Sequence, residues 1–133
     1  MSLLRRRAEM QAKLDEYEGC EFGVCLAQAV VLAPYGVTPL VAIPTNCTQI
    51  YFMNPYGRWK YSYPVSYLLY DSNKNITGYG LLNGWNVTRN ITAGVYAYVR
   101  MTFNIDAIDD TYMQDKTNNT YLWKGKNVTK VKT

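Results

Sequence analysis

The chain reads as an all-β protein, an antiparallel β-sandwich preceded by a short N-terminal α-helix. Three observations predict it. In Tyr96–Phe103 the residue types alternate, so Ala97, Val99, Met101 and Phe103 line one side of an extended strand while Tyr96, Tyr98, Arg100 and Thr102 line the other. One side is expected to be core and the other wet. From Val37 onward, short runs of β-branched and aromatic residues are divided by turn residues, the texture of a sandwich. Ahead of these lies a single stretch of good helix formers, Ser2–Glu18.

That helix is supported by Arg5/Glu9 and Glu9/Lys13 at i,i+4 spacing and is closed by Gly19. Leu3, Met10, Leu14 and Tyr17 share a thin stripe with Arg7, and a helix this short needs something to dock on. Phe22–Ala33 fits a buried strand and a buried helical turn equally well, because periodicity does not separate the two in so short an apolar run. Strands are expected over Leu40–Ile43 and Thr48–Met53, with a turn at Asn54–Gly57. Val65–Tyr70 is apolar on both faces, the mark of a central strand, and Asp71–Asn75 turns it. Ile76–Leu82 reads as a return strand broken by Gly78 and Gly80. Asn86–Thr92 is a further strand, Asn104–Asp110 a loop, and Tyr112–Gln114 and Tyr121–Trp123 close the fold. Two regions follow: residues 1–36 as a helical or extended arm and residues 37–133 as the β-sandwich module.

Only 18% of the 133 residues are charged, and 13 tyrosines supply rings that pack while keeping a hydroxyl in water. The net charge of +4 gathers at Arg5, Arg6 and Arg7 and at Lys124, Lys126, Lys130 and Lys132. These read as two solvated ends, so no nucleic-acid partner is expected. Three cysteines cannot all pair within the chain, no His completes a zinc site, and all three are read as reduced and apolar, so no metal is expected. No run approaches the ~20 apolar residues of a membrane span, and the basic start lacks the apolar centre of a secretory signal, so no membrane partner and cytoplasmic synthesis are expected. Six Asn-X-Thr triplets begin at Asn46, Asn75, Asn86, Asn90, Asn118 and Asn127. They are read as turn-to-strand junctions, not as glycosylation acceptors.

Without His, catalytic triads and the usual near-neutral base drop out. No phosphate loop or dinucleotide fingerprint appears, so no cofactor is expected. Asp109 and Asp110 are adjacent carboxylates that a hydrolase would need to face each other across its substrate; neighbours in a loop point apart, so no catalytic residue is assigned. Binding is better supplied. Trp59, Tyr61, Tyr63, Tyr79, Trp85 and Trp123 fall near loops or strand ends, where rings stack on sugars, and Arg58, Asn83 and Arg100 reach hydroxyls. Those residue types also build protein interfaces. The binding set for either role is Arg58, Trp59, Asn83, Trp85, Tyr98 and Arg100.

Four pieces in order, Leu40-Val41-Ala42-Ile43-Pro44 with Thr48-Gln49-Ile50, Val65 to Lys74 ending in Tyr70-Asp71-Ser72-Asn73-Lys74, Ala97 to Phe103, and Asp110 to Gln114, resemble the small jelly-roll, carbohydrate-binding-like modules of bacteriophage tail and fibre proteins. The resemblance covers roughly residues 37–124. The start, Met1 to Arg7, is similar to that of many short phage virion proteins. It implies a non-enzymatic virion component, in a fibre, collar or capsid decoration, made in the host cytoplasm and anchored through Leu3, Leu4, Arg5, Arg6, Arg7, Met10 and Leu14. Implied partners are other virion proteins (capsid, collar or tail), further copies of the chain and a host surface glycan. The alternative is a stand-alone carbohydrate-binding or adhesion domain of a bacterial surface system.

Overall fold

The computed structural model describes residues 3–23, 25, 34–55, 65–82 and 86–129. Helix α1 (Leu3–Leu14) is followed by β1 (Glu21–Phe22), β2 (Tyr35–Val37), β3 (Val41–Ala42), β4 (Gln49–Met53), β5 (Val65–Tyr70), β6 (Ile76–Leu82), β7 (Asn86–Asn90) and β8 (Tyr98–Asn104). A 3₁₀ helix, Ile105–Asp110, leads into β9 (Tyr112–Asp115) and β10 (Thr120–Lys124). The strands form two antiparallel sheets, one ordered β1-β2-β8-β5-β6 with β3 also on β8, the other β10-β9-β4-β7. Three pairings are nested: β3 with β8, β4 with β7 and β5 with β6, falling in alternate sheets. Among the described residues no helix is long and apolar enough to cross a membrane.

The sheets share one apolar cluster. Ile50 and Phe52 of β4 and Met113 of β9 meet Tyr67 and Leu69 of β5, Leu82 of β6, and Val99 and Met101 of β8. Phe52 and Tyr67 stack across the gap, with ring centroids 4.7 Å apart, an offset contact that adds to the area each ring buries. Tyr67 also explains β6. A Cβ on Gly80 would lie 2.2 Å from the Tyr67 hydroxyl oxygen, and one on Gly78 would lie 3.1 Å from Tyr96. The two glycines therefore do not break the strand, as their sequence suggested; they leave room for tyrosines packed on its inner side.

The inward row of β8 is buried as expected at Val99, Met101 and Phe103, each 0% exposed, while Ala97 lies just ahead of the strand and is half-buried. The opposite row departs from expectation. Thr102 and Asn104 are fully buried, because the chain itself covers them: the Cys25 amide donates to Thr102 Oγ1 at 2.9 Å, and Asn104 Oδ1 caps the 3₁₀ helix by accepting from the Asp106 amide at 2.8 Å. Tyr98 and Arg100 keep partial access to solvent, and Tyr96, expected on the same wet side, is half-buried against the inner core cluster. β2 and β3 run along one edge of β8, interrupted at Thr38–Leu40, where Pro39 has no N–H to give. Thr38 bridges the interruption: its amide donates to the Met101 carbonyl at 3.0 Å and its hydroxyl accepts from the Met101 amide at 3.1 Å.

Residues 104–110, expected as a loop, instead bury Ile105, Ala107 and Ile108 in the 3₁₀ turns. The three-residue spacing of Ile105 and Ile108 suits that period. Onto them packs α1, which ends at Leu14, short of the expected Glu18. Met10 and Leu14 join Phe103, Ile105 and Ile108 in a second cluster bordered by Tyr17, Cys20, Phe22 and Trp123. Gly36 lets them close: a Cβ there would sit 2.9 Å from Phe103 and 3.0 Å from Leu14. The expected boundary at residue 37 thus falls inside β2, which pairs with β8, and the helix shares its core with the sheet. Leu14→Ala should lower stability by about 2–5 kcal/mol in a single urea transition. An unmoved main transition would mean that the helix is not part of the folded unit.

Candidate interaction surfaces

Two regions gather polar and aromatic side chains. The first lies where α1, the 3₁₀ helix and the C-terminal segment meet. Lys13 Nζ and the Tyr17 hydroxyl each donate to Asp109 at 2.5 Å, and the same Tyr17 oxygen accepts from the Lys126 amide at 2.9 Å. Lys126 Nζ pairs with Glu16, and one Arg6 amino nitrogen contacts both Asp106 oxygens at 2.7 and 2.9 Å. Burial works against charge on Asp109, but the bonds from Lys13 and Tyr17 and the nearby ammonium groups outweigh it and hold the carboxyl below its usual range. Burial, then the bond to Asp109, push the Tyr17 hydroxyl well above the ordinary phenol, so it remains a donor. Asp110 turns elsewhere and accepts from Asn127 Nδ2 at 3.1 Å. The adjacent carboxylates therefore have separate structural partners. A cleft of about 180 Å³ beside them is lined by Arg6, Glu9, Met10, Lys13, Ile105 and Asp106, small against the several hundred Å³ of ligand pockets.

The second region is the outer face of the larger sheet. Register aligns Tyr79 of β6, Leu68 of β5 and Arg100 of β8 in one row, and Ile76, Tyr70 and Tyr98 in the next. Leu68 and Tyr70 are buried, whereas Ile76, Tyr79 and Leu81 are 59%, 65% and 47% exposed. The Lys74 ammonium lies 5.9 Å from the centre of the Tyr98 ring, close enough for a cation–π contact. Arg100 Nε is buried without a hydrogen-bond partner among the described residues. Burial raises the Tyr70 hydroxyl's pKa, partly countered by Arg100. It also pushes the Cys20 thiol up to about 12 and the Cys47 thiol to about 11, and raises Cys25.

Of the six binding residues expected from sequence, the structure places Tyr98 and Arg100 together on this face; Arg58, Trp59, Asn83 and Trp85, like Tyr61 and Tyr63, lie outside the described residues. Trp123 is packed between Phe103 and Tyr17, with centroids 5.8 and 5.6 Å away. Of the anchoring set, Met10 and Leu14 are buried in the chain's own core, Arg6 faces Asp106 and the Arg7 guanidinium sits 3.8 Å over the Phe22 ring. Leu4 is 84% exposed and Arg5 is exposed beside Glu9; the Leu3 side chain lies outside the described residues. Leu81 escaped sequence reasoning, although Gly78-Tyr79-Gly80-Leu81 carried a signal, large residues alternating with none. The asparagines of all six Asn-X-Thr triplets are exposed. Asn46 and Asn118 exchange two side-chain bonds of 2.9 Å, and Asn90 accepts from Gln49 at 2.9 Å, roles that tie turns and strands.

Comparison of the chain with protein-family models, with curated proteins and with solved structures gives no match.

The Asp109 cluster has a pH signature. A carboxyl whose folded pKa lies below its unfolded value stabilises fully above the ordinary range near ~4, and that contribution is lost as pH falls through the depressed value. The wild type should lose stability below about pH 4, and Asp109→Asn should flatten that limb while being less stable at neutral pH. An acid limb equally steep in the variant would show that another group is responsible.

Proposed function

We propose that the chain is a non-enzymatic binding and packing module and, following its resemblance to phage modules, a structural component of a bacteriophage virion: a fibre, collar or decoration protein. The nested pairings favour that family's architecture. In a jelly roll one long hairpin is rolled up so that successive strand pairs alternate between facing sheets. Here β3·β8, β4·β7 and β5·β6 do so, with the Phe52–Tyr67 stack between the layers of the sandwich. Fold alone does not decide function. The reading is carried by the outer sheet face, where exposed Ile76, Tyr79 and Leu81 continue into half-buried Tyr98 and Arg100 on rigid strands. Apolar and aromatic residues with a cation are what protein contacts select. Attachment to a particle runs through the exposed start of α1, Leu4 and Arg5, since Met10 and Leu14 are engaged internally.

A second reading, glycan adhesion, draws on Tyr79 and Arg100 standing in one row, a ring for stacking beside a donor for hydroxyls. Mass spectrometry of gradient-purified particles from a culture producing the chain separates the two. A virion component is present in the particle band in fixed copy number; a chain confined to the soluble fraction while intact particles form would overturn the assignment. A glycan-array signal lost in Tyr79→Ala would establish adhesion instead.

A further inference from the structure

A free sheet edge offers unpaired N–H and C=O groups to any strand alongside, unless brevity, bulges or charge blunt it. Among the described residues the free edges of the two sheets are β1, β3, β6, β10 and β7. β1 and β3 have two residues each, β10 is bulged between Tyr121 and Trp123 and ends in Lys124, and β7 carries Arg89. β6 has none of these defences over its regular part. After an irregular step at Thr77 it pairs evenly with β5 from Gly78 to Leu82, and it contains no charged residue.

We propose that β6 is the seam between two copies of this chain, pairing antiparallel with the β6 of a second copy about a twofold axis at Gly80, so that the two larger sheets become one. The proposal names an interface for the further copies of the chain that the resemblance implies as partners. Self-complementarity points to a second copy. An axis at Gly80 sets Tyr79 opposite Leu81 of the partner subunit, Leu81 opposite Tyr79 of the partner subunit, and Gly78 opposite Leu82 of the partner subunit. The two outward apolar side chains, 65% and 47% exposed in one copy, then cover their counterparts, aromatic against aliphatic, as cross-strand pairs favour. Isologous contacts of this kind close on themselves as dimers.

Charge selects the same edge. With +4 overall, two copies repel across much of their surface. The described basic residues lie largely on α1 (Arg5, Arg6, Arg7, Lys13) and around β9 and β10 (Lys116, Lys124, Lys126), whereas residues 71–82 carry only Asp71 and Lys74, which cancel. Two β6 strands meet without bringing like charges together. A foreign strand would find the same backbone groups but no reciprocal Tyr–Leu ladder.

Sedimentation velocity on the full chain over a concentration series tests the seam. The wild type should pass from monomer to dimer, and Leu81→Lys, a change at an exposed position, should keep the wild-type circular dichroism while weakening association by about tenfold or more. Tyr79→Cys/Leu81→Cys should cross-link into a dimer on mild oxidation, whereas Leu81→Cys alone should not, because its thiol faces a tyrosine. A chain monomeric throughout, a dimer indifferent to Leu81→Lys, cross-linking by Leu81→Cys alone, or an edge occupied only by another protein would each overturn the seam. Because these measurements need no particle, a β6-dependent dimer missing from virions sinks only the virion reading, and a virion protein without such a dimer sinks only the seam.

Discussion

Tyr67 is the contact on which the arrangement of strands turns. Its ring lies flat against Phe52 of the opposite sheet, its hydroxyl fills the space above Gly80 of the next strand, and the Arg89 guanidinium of β7 stands 5.9 Å from its ring. One side chain thus touches β4, β6 and β7 from β5. Stacking sets how closely the sheets approach, and the hydroxyl over Gly80 sets how closely β6 lies against β5. Because interiors are packed to crystal-like density, a larger residue at 80 or a smaller one at 67 is felt in both layers.

A second constraint ties the N-terminal helix to the rest. The helix alone would be marginal in water, and its polar face is strongly basic. Leu14 and Met10 enter a cluster made by the end of β8 and the 3₁₀ helix, while Lys13, Tyr17 and Arg6 meet acidic groups at the same pole. Exposed ion pairs contribute little individually. Burial of Leu14, which is fully enclosed, stabilises the docked helix more than they do, and the charged contacts orient the helix over it.

Much of the fold was legible in the sequence and less of the surface. Period-two alternation located β8 and its inward row, and runs of β-formers located β4, because each reports a local rule. The same alternation misassigned Thr102 to solvent, since whether an outer row stays wet depends on which distant segment lies over it, here the one bearing Cys25. Gly78 and Gly80 suggested a broken strand because the tyrosines that need their space, Tyr96 and Tyr67, lie 18 and 13 positions away in sequence. Asn104–Asp110 looked like a loop because its buried residues repeat at three, too short a run to stand out from turn chemistry. Among functional candidates, Tyr98 and Arg100 were found by alternation alone, whereas the row they share with Tyr79 exists only through strand register.

The burial of Cys47 and the partial burial of Cys20 and Cys25 have a practical side. With burial raising Cys20 to about 12 and Cys47 to about 11, the thiolate fraction at neutral pH is on the order of one in 10⁴ to 10⁵. Since the thiolate is the form that reacts, Cys20 and Cys47 should be alkylated by maleimides more slowly than a thiol fully in water.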